Sequence, residues 1–488
     1  MTLHELFVKA FPRVDGYFRC NASRRLCDLY GDLLAQGAVP DIAFLKAARG
    51  VASRLYGPES AALCARELQK GGAVFAAGHC GFENHPQLIA STLCALSAKG
   101  ARGRTGAPAV HVALCCSNIT PSNGSVPCGL LTGRLDARRR RIKVNLAPSR
   151  LSSSYVDGID AFGADDFARA SGRAAGSFNA REMRALRNLC RLCAHSGASG
   201  SLAQAAIVNT RAYGRLFPGA MAMFLPIEEI ASCLVISDLR AGRGVLSGIM
   251  SDRAALEQLL SDLCGVRGCW SRELLFDEDA DVSGHQHRGS VLFYGCGANS
   301  HHRTLKILRR EGGMILCGKG IEVPLKPSAV AAALESGALR LSLFSCYMPL
   351  LLDHGVRLSG GVFMSDYLVA MANAMARALG LSLGWRGESP ISSCAMPFWI
   401  REDEAGLNCA HPLSFADLLA MDDPGPLYWE EAMQRPLSDF AGPTECEMMV
   451  NFASGDLGEG IWDEIAKARS RAAATAGPGG LCRLWAQD

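Results

Sequence analysis

The sequence predicts an α/β fold, a parallel sheet flanked by helices with additional mostly helical and mixed segments, and three observations predict it. First, Ala73-Val74-Phe75-Ala76-Ala77 is a short apolar run of the kind that forms a buried strand, and it leads into the loop Gly78-His79-Cys80-Gly81-Phe82-Glu83-Asn84-His85. Second, a helical pattern from about Pro86 to Ala98 precedes another apolar run, Ala109 to Cys115. Strand, loop, helix, strand is a βαβ unit, whose crossover joins parallel neighbours. Third, the strand-like pattern returns at Val291 after a helical middle. Together they predict a Rossmann-like sheet.

Each element has its own signal. The first seventy residues read as helices, and Ala61 to Leu68 stops at Gly71-Gly72. Proline in the first turn suits the helix from Pro86, because its missing N–H has no partner there in any case. Lys99 to Ala107 reads as a polar linker. Asp136 to Val144 contains Arg138-Arg139-Arg140-Arg141-Ile142-Lys143, for which two readings stay open, a solvated hairpin or strand end and a phosphate-binding run. Arg181 to Ala194 places apolar residues at helical spacing. Strands are expected at Ser290–Tyr294 and Met314–Cys317, helices at Ala329–Glu335 and Tyr367–Leu379, and an apolar segment at Leu339–Leu352. The last hundred residues, rich in Pro, Gly and acidic groups, read as mixed loops and short helices. The expected division is 1–150, 151–285, 286–385 and 386–488.

A chain of 488 residues is too long for one ordinary core. Its net charge of +3 argues against a dedicated nucleic-acid binder. Twenty cysteines are scattered along the chain, and Cys94, Cys115, Cys233, Cys317 and Cys346 fall in apolar stretches. With no basic region and apolar run at Met1 to Leu6, they read as reduced core residues of a cytoplasmic protein. No apolar run approaches the ~20 residues that span a bilayer.

The loop after the first strand is the leading candidate site. Open α/β sheets bind ligands at strand carboxyl ends, and the helix that follows turns unpaired N–H groups toward an anion. Gly78 and Gly81 let a backbone approach a ligand, His79 and His85 suit acid, base or phosphate contacts, and Asn84 suits a helix cap. The second strand ends in polar residues, of which Ser117, Asn118, Thr120 and Asn123 are expected to line the same edge. Cys80 and Cys296 are the thiols best placed to react, each between glycines with histidines nearby. A zinc reading attaches to His285-Gln286-His287 with Cys296, His301 and His302, and a fainter one to Cys190, Cys193 and His195. Neither spacing matches a common zinc pattern, and no metal is expected.

The late part of the chain carries a resemblance. Gly313 to Ser328 is followed by Leu341-Ser342-Leu343-Phe344-Ser345-Cys346-Tyr347-Met348-Pro349 and then Gly360-Gly361-Val362-Phe363-Met364-Ser365-Asp366-Tyr367. With the first-strand loop, this order resembles the bacillithiol-biosynthesis cysteine-adding enzymes. The resemblance implies a Rossmann-like core, a nucleotide-binding pocket and addition of cysteine to a sugar-malate acceptor. Gly78 and His79 match that family's first loop, while Gly360, Gly361 and Tyr367 match its late glycine element. An arginine near Cys346 or Tyr347 and a long coiled coil are absent, which implies a distant relative with another acceptor.

The function expected is a small-molecule enzyme that binds a nucleotide or phosphorylated ligand, with ATP or ADP as candidate cofactors, and that joins an amino acid to a carrier as a ligase or transferase. The alternatives are a non-catalytic ligand-binding or scaffold protein and a nucleotidyltransferase. Partners from the membrane or nucleic acids are not expected.

Overall fold

The computed structural model describes residues 1–35, 39–102, 108–266, 292–297, 300–310, 313–361, 363–383, 395–401, 409–421, 426–452, 457–476 and 481–484. The fold is mixed α/β around a curled, four-stranded parallel sheet. Its strands are β1 (Val74–His79), β2 (Ala109–Cys116), β5 (Ala220–Pro226) and the two-residue strand Leu358–Ser359; the hairpin β3 (Gly129–Leu135) and β4 (Arg141–Asn145) stands apart from it.

The first βαβ unit forms as its apolar spacing predicts. β1 and β2 run parallel, with Gly78 opposite Cys115 and His79 opposite Cys116, and the helix Pro86–Arg102 joins them. β5 continues the sheet on the far side of β2, paired from Ala109↔Ala220 to Cys115↔Pro226. Leu358–Ser359 lies on the near side of β1, opposite Val74 and Phe75. Taken in chain order, the four strands therefore lie 3-2-1-4. The winding reverses between β1 and the last strand, and such a reversal opens a crevice at the strand carboxyl ends. One sheet thus draws on three of the four expected segments.

Apart from Leu358–Ser359, the described strands beyond β5 form small antiparallel sheets. Lys306–Arg310, Gly313–Gly318 and Ile321–Pro324 make one, and Phe293–Cys296 pairs with Leu339–Leu341 and His302–Arg303 in another. A third joins Ala410–Pro412, Trp399–Arg401 and Leu481–Cys482.

Several expectations need correction. The first helix of the βαβ unit runs on to Arg102, and Lys99 turns inward to meet Glu67 and, at 2.5 Å, the carbonyl of Val110. The C-terminal region holds two long helices, Ser438–Phe452 and Glu459–Ala474. Gly442 and Pro443 mark a loop to a sequence reader, yet both sit inside the first of these, whose Phe440, Cys446 and Glu447 are fully buried. Cys233 is exposed and Cys317 half-buried, because only one face of each element packs inward; Cys94, Cys115 and Cys346 are buried. Every cysteine among the described residues is a free thiol, and no helix among them is long and apolar enough to cross a membrane.

Candidate functional site

β1 extends through His79, so Gly78 is a strand residue. A Cβ there would lie 2.9 Å from the Cys115 sulfur of the neighbouring strand. Gly81 has φ +145°, and a Cβ on it would lie 2.3 Å from the carbonyl oxygen of Pro127. Both glycines thus admit protein backbone and side chains in close approach, where the sequence suggested a ligand. Asn84 also works inward. Its amide donates to the carbonyls of Val126 (2.7 Å) and Gly129 (3.0 Å) and accepts from the N–H of Leu131 (3.2 Å). The residue at the helix cap is His85, whose carbonyl takes the N–H groups of Leu88 and Ile89.

These bonds fasten the loop to the β3–β4 hairpin, and a cavity of about 860 Å³ lies between them. That volume is within the ordinary range for small-molecule sites. His79, His85, Asn123 and Ser125 line one side of it, and Asp136, Arg140, Arg141 and Lys143 line another. His79 Nδ1 lies 2.8 Å from Ser125 Oγ, and the Ser125 hydroxyl and N–H donate to Asn123 Oδ1 at 2.8 and 2.9 Å. A hydroxyl has one proton. Since Ser125 gives its proton to Asn123, it accepts from His79 Nδ1–H, and this fixes the tautomer with Nε2 unprotonated. Burial pushes the His79 pKa down to about 4. Burial, followed by the charges of Arg141 and His79, pushes His85 down to about 3. Both rings are neutral at pH 7.

The arginine run forms the hairpin turn and its return strand. Asp136 organises the turn, its Oδ1 accepting the N–H groups of Arg138 and Arg140 at 2.9 Å and its Oδ2 the Arg140 guanidinium at 3.0 and 3.2 Å. The Arg140 N–H, then its guanidinium, holds the Asp136 carboxyl below the usual range. Arg141 is drawn inward, donating to Asn451 (2.8 Å), the Gly133 carbonyl (2.9 Å) and Glu447 (2.5 Å). Glu447 is fully buried and also takes Arg469 at 2.6 Å. Lys143 is exposed and makes no ion pair or hydrogen bond among the described residues. Among the described residues three cations and one carboxylate line the cavity; Arg140 is paired with Asp136 and Arg141 with Glu447, so it is chiefly Lys143 that favours an anion there.

Of Ser117, Asn118, Thr120 and Asn123, the residues expected along this edge, Asn123 lines the cavity and the other three do not. Glu228, at the start of the helix Ile227–Arg240, claims the others: it accepts from the Ser117 N–H and hydroxyl at 2.8 Å and from the Asn118 N–H at 3.0 Å. The Asn118 amide is further bound to the Leu341 carbonyl, and Thr120 bonds Ser122 at 2.7 Å. Gly360, Gly361 and Tyr367 do not line the cavity either. Gly360 follows the strand beside β1, and Tyr367 stacks on Tyr347 at 6.3 Å, whose hydroxyl donates to the Ala76 carbonyl at 2.6 Å.

The Cys80 thiol is buried, donates to the Cys115 carbonyl at 3.1 Å and is pushed well up by burial, which leaves it protonated and a poor nucleophile. Cys296 is half-buried at the end of its strand. His285 and His287 of the zinc reading lie outside the described residues. Cys193 is buried on the helix Ala180–Ala194 and His195 is bonded to the Arg191 carbonyl at 2.6 Å, so neither is set up as a ligand. Among the described residues no group of three or more His, Cys, Asp or Glu side chains is arranged to hold a metal.

Sequence reasoning left the arginine run open between two roles and passed over Ser125 and Asn451, which line the cavity. Ser125 had a signal, since Asn-x-Ser is a local turn motif. Asn451 had none, because it arrives from a helix some three hundred residues away. No known protein-family model matches the chain, and no curated protein matches it at a significant level.

Proposed function

We propose that this protein is an enzyme of ligase or transferase type that takes a nucleotide or other phosphorylated small molecule into the cavity between the first-strand loop and the arginine turn. The observation that carries the proposal is the meeting of a tautomer-fixed histidine with Lys143, Arg140 and Arg141 in one cavity. In this reading Lys143 and Arg140 hold the anionic oxygens. His79 takes a proton at Nε2 from the hydroxyl or amine that attacks the ligand's phosphate-activated centre, a step to which a well-placed base contributes about 10²–10⁴-fold. The phosphate oxygen held by Lys143 and Arg140 leaves with the electron pair of the broken bond. A bound anion raises the basicity of His79 by favouring its charged form, which offsets the effect of burial. The 3-2-1-4 strand order supports a Rossmann-like core, and the resemblance to the cysteine-adding enzymes supports an amino acid as the second substrate.

The test is calorimetric titration of the full chain with ATP, ADP, ribose 5-phosphate and pyrophosphate, followed by product analysis with ATP and free amino acids. At least one of the anions is expected to bind, and Lys143→Ala is expected to weaken it about tenfold, the loss of one charge-assisted contact. If none binds at millimolar concentration, the reading fails. A non-catalytic binding protein is the second reading, favoured by Ser125, rather than a carboxylate, being the partner of His79 Nδ1 among the described residues. It predicts binding without turnover, whereas nucleotidyl transfer predicts pyrophosphate release.

A further inference from the structure

No phenylalanine, tyrosine or tryptophan lines the first cavity among the described residues. It offers contacts to phosphate and hydroxyl groups and gives a flat base no aromatic face. The other side of the arginine turn supplies one. A second hollow, of about 950 Å³, is lined by the turn together with Met449, Leu457, Glu459 and Trp462. Arg140, Arg141 and Val450 line both hollows, so the two adjoin along the turn.

Arg139 is the distinctive residue of that turn. It holds φ +61°, a left-handed backbone that a side chain other than glycine adopts at some cost. Its guanidinium lies 5.0 Å from the Trp462 ring centroid and binds Glu459 through both terminal nitrogens, one at 2.9 Å. Glu459 neutralises the charge, so this corner is less suited to phosphate than the first cavity. The side chain is still 39% exposed, and an arginine plane backed by an indole is a stacking surface for a heterocycle.

We infer that the two hollows form one extended site for a nucleoside phosphate, with the phosphate on Lys143 and Arg140 and the base stacked against Arg139 and Trp462. This rests on the reading of the first cavity as an anion site, and the two are separable by experiment. The full chain is titrated with AMP, with ribose 5-phosphate and with a single-stranded RNA ten-mer. AMP is expected to bind at least about tenfold more tightly than ribose 5-phosphate, the usual contribution of one stacked base. Trp462→Ala and Arg139→Gly should each remove that advantage and leave ribose 5-phosphate binding unchanged, while Trp462→Phe keeps it. Arg139→Gly retains the turn, because glycine accepts the left-handed backbone. Equal affinity for AMP and ribose 5-phosphate, or AMP binding untouched in both variants, overturns the inference and leaves the anion site standing. Failure of both ligands to bind removes the anion site as well. Far tighter binding of the RNA than of AMP overturns the inference in favour of a nucleic-acid surface.

Discussion

His79 ends β1 and Glu83 stands four residues on, in the loop that follows, and burial shifts them in opposite senses. His79 is lowered to about 4, so below its ordinary value the unfolded chain binds a proton that the folded chain refuses, and stability falls as the pH drops from 6.5 toward 4. Glu83 is raised to about 7 by burial, the larger effect, which the hydrogen bonds from the Tyr213 and Thr92 hydroxyls oppose. The folded chain therefore binds the Glu83 proton more tightly than the unfolded chain does. Its favourable contribution is complete below the ordinary value of 4.5 and is lost as the pH rises to about 7. Glu83→Gln keeps a neutral group in that place. It should stabilise the protein by up to about 3 kcal/mol at pH 8 and have little effect at pH 4.5. Urea unfolding of both proteins at the two pH values checks this, and an equal difference at both would show that Glu83 does not titrate as argued. Ser125 sets a second expectation at this scale. In Ser125→Ala the Nδ1–H of His79 loses its acceptor, so nitrogen NMR of the imidazole should pass from one tautomer to a mixture. Persistence of a single Nδ1–H form would mean that another group orients the ring.

The loop and the hairpin behave as one element because their backbones are joined through Asn84 and pressed together at Gly81. Asn84→Ala leaves the Val126 and Gly129 carbonyls and the Leu131 N–H without their side-chain partner in a buried place. A destabilisation of about 2–3 kcal/mol is expected, measured by the urea midpoint, with weaker ligand binding because His85 and the hairpin separate. A change within ±0.5 kcal/mol would show the bonds to be incidental. This junction also marks where sequence reading stops. The βαβ unit was legible because apolar period, glycine stop and proline start are local signals that agree. The role of Asn84 was not, since a cap and a cross-link use the same amide, and only the hairpin beginning at Gly129 decides between them. Ser117 and Asn118 misled for the same reason: Glu228, more than a hundred residues on, takes their donors.

At the scale of the whole molecule, the sheet and the cavity are assembled from distant parts of the chain. Leu358–Ser359 reaches β1 through two paired residues, and its position beside β1 gives the 3-2-1-4 order. Composition carries no trace of that pairing, and a two-residue strand has no period to read. The arginine run was visible as charge alone. Its division into an outward Arg138, a stacked Arg139, a cavity-facing Arg140 and a buried Arg141 depends on Glu447 and Trp462, in helices that the sequence presents as irregular. Glu447 should therefore couple the C-terminal helices to the cavity. It is fully buried between Arg141 and Arg469, and removing it leaves two guanidinium groups facing each other without a counter-charge. Glu447→Ala is expected to destabilise the fold by about 3–5 kcal/mol, as breaking a buried ion pair commonly does. Hydrogen exchange gives the more specific readout. Protection should fall across β3 and β4 and at Ser438–Phe452 while Pro86–Arg102 keeps its protection, because this carboxylate makes the buried ion pair that ties the hairpin to the C-terminal helices. A uniform loss across all three would make Glu447 a general core residue, with no particular hold on the arginine turn that the two hollows share.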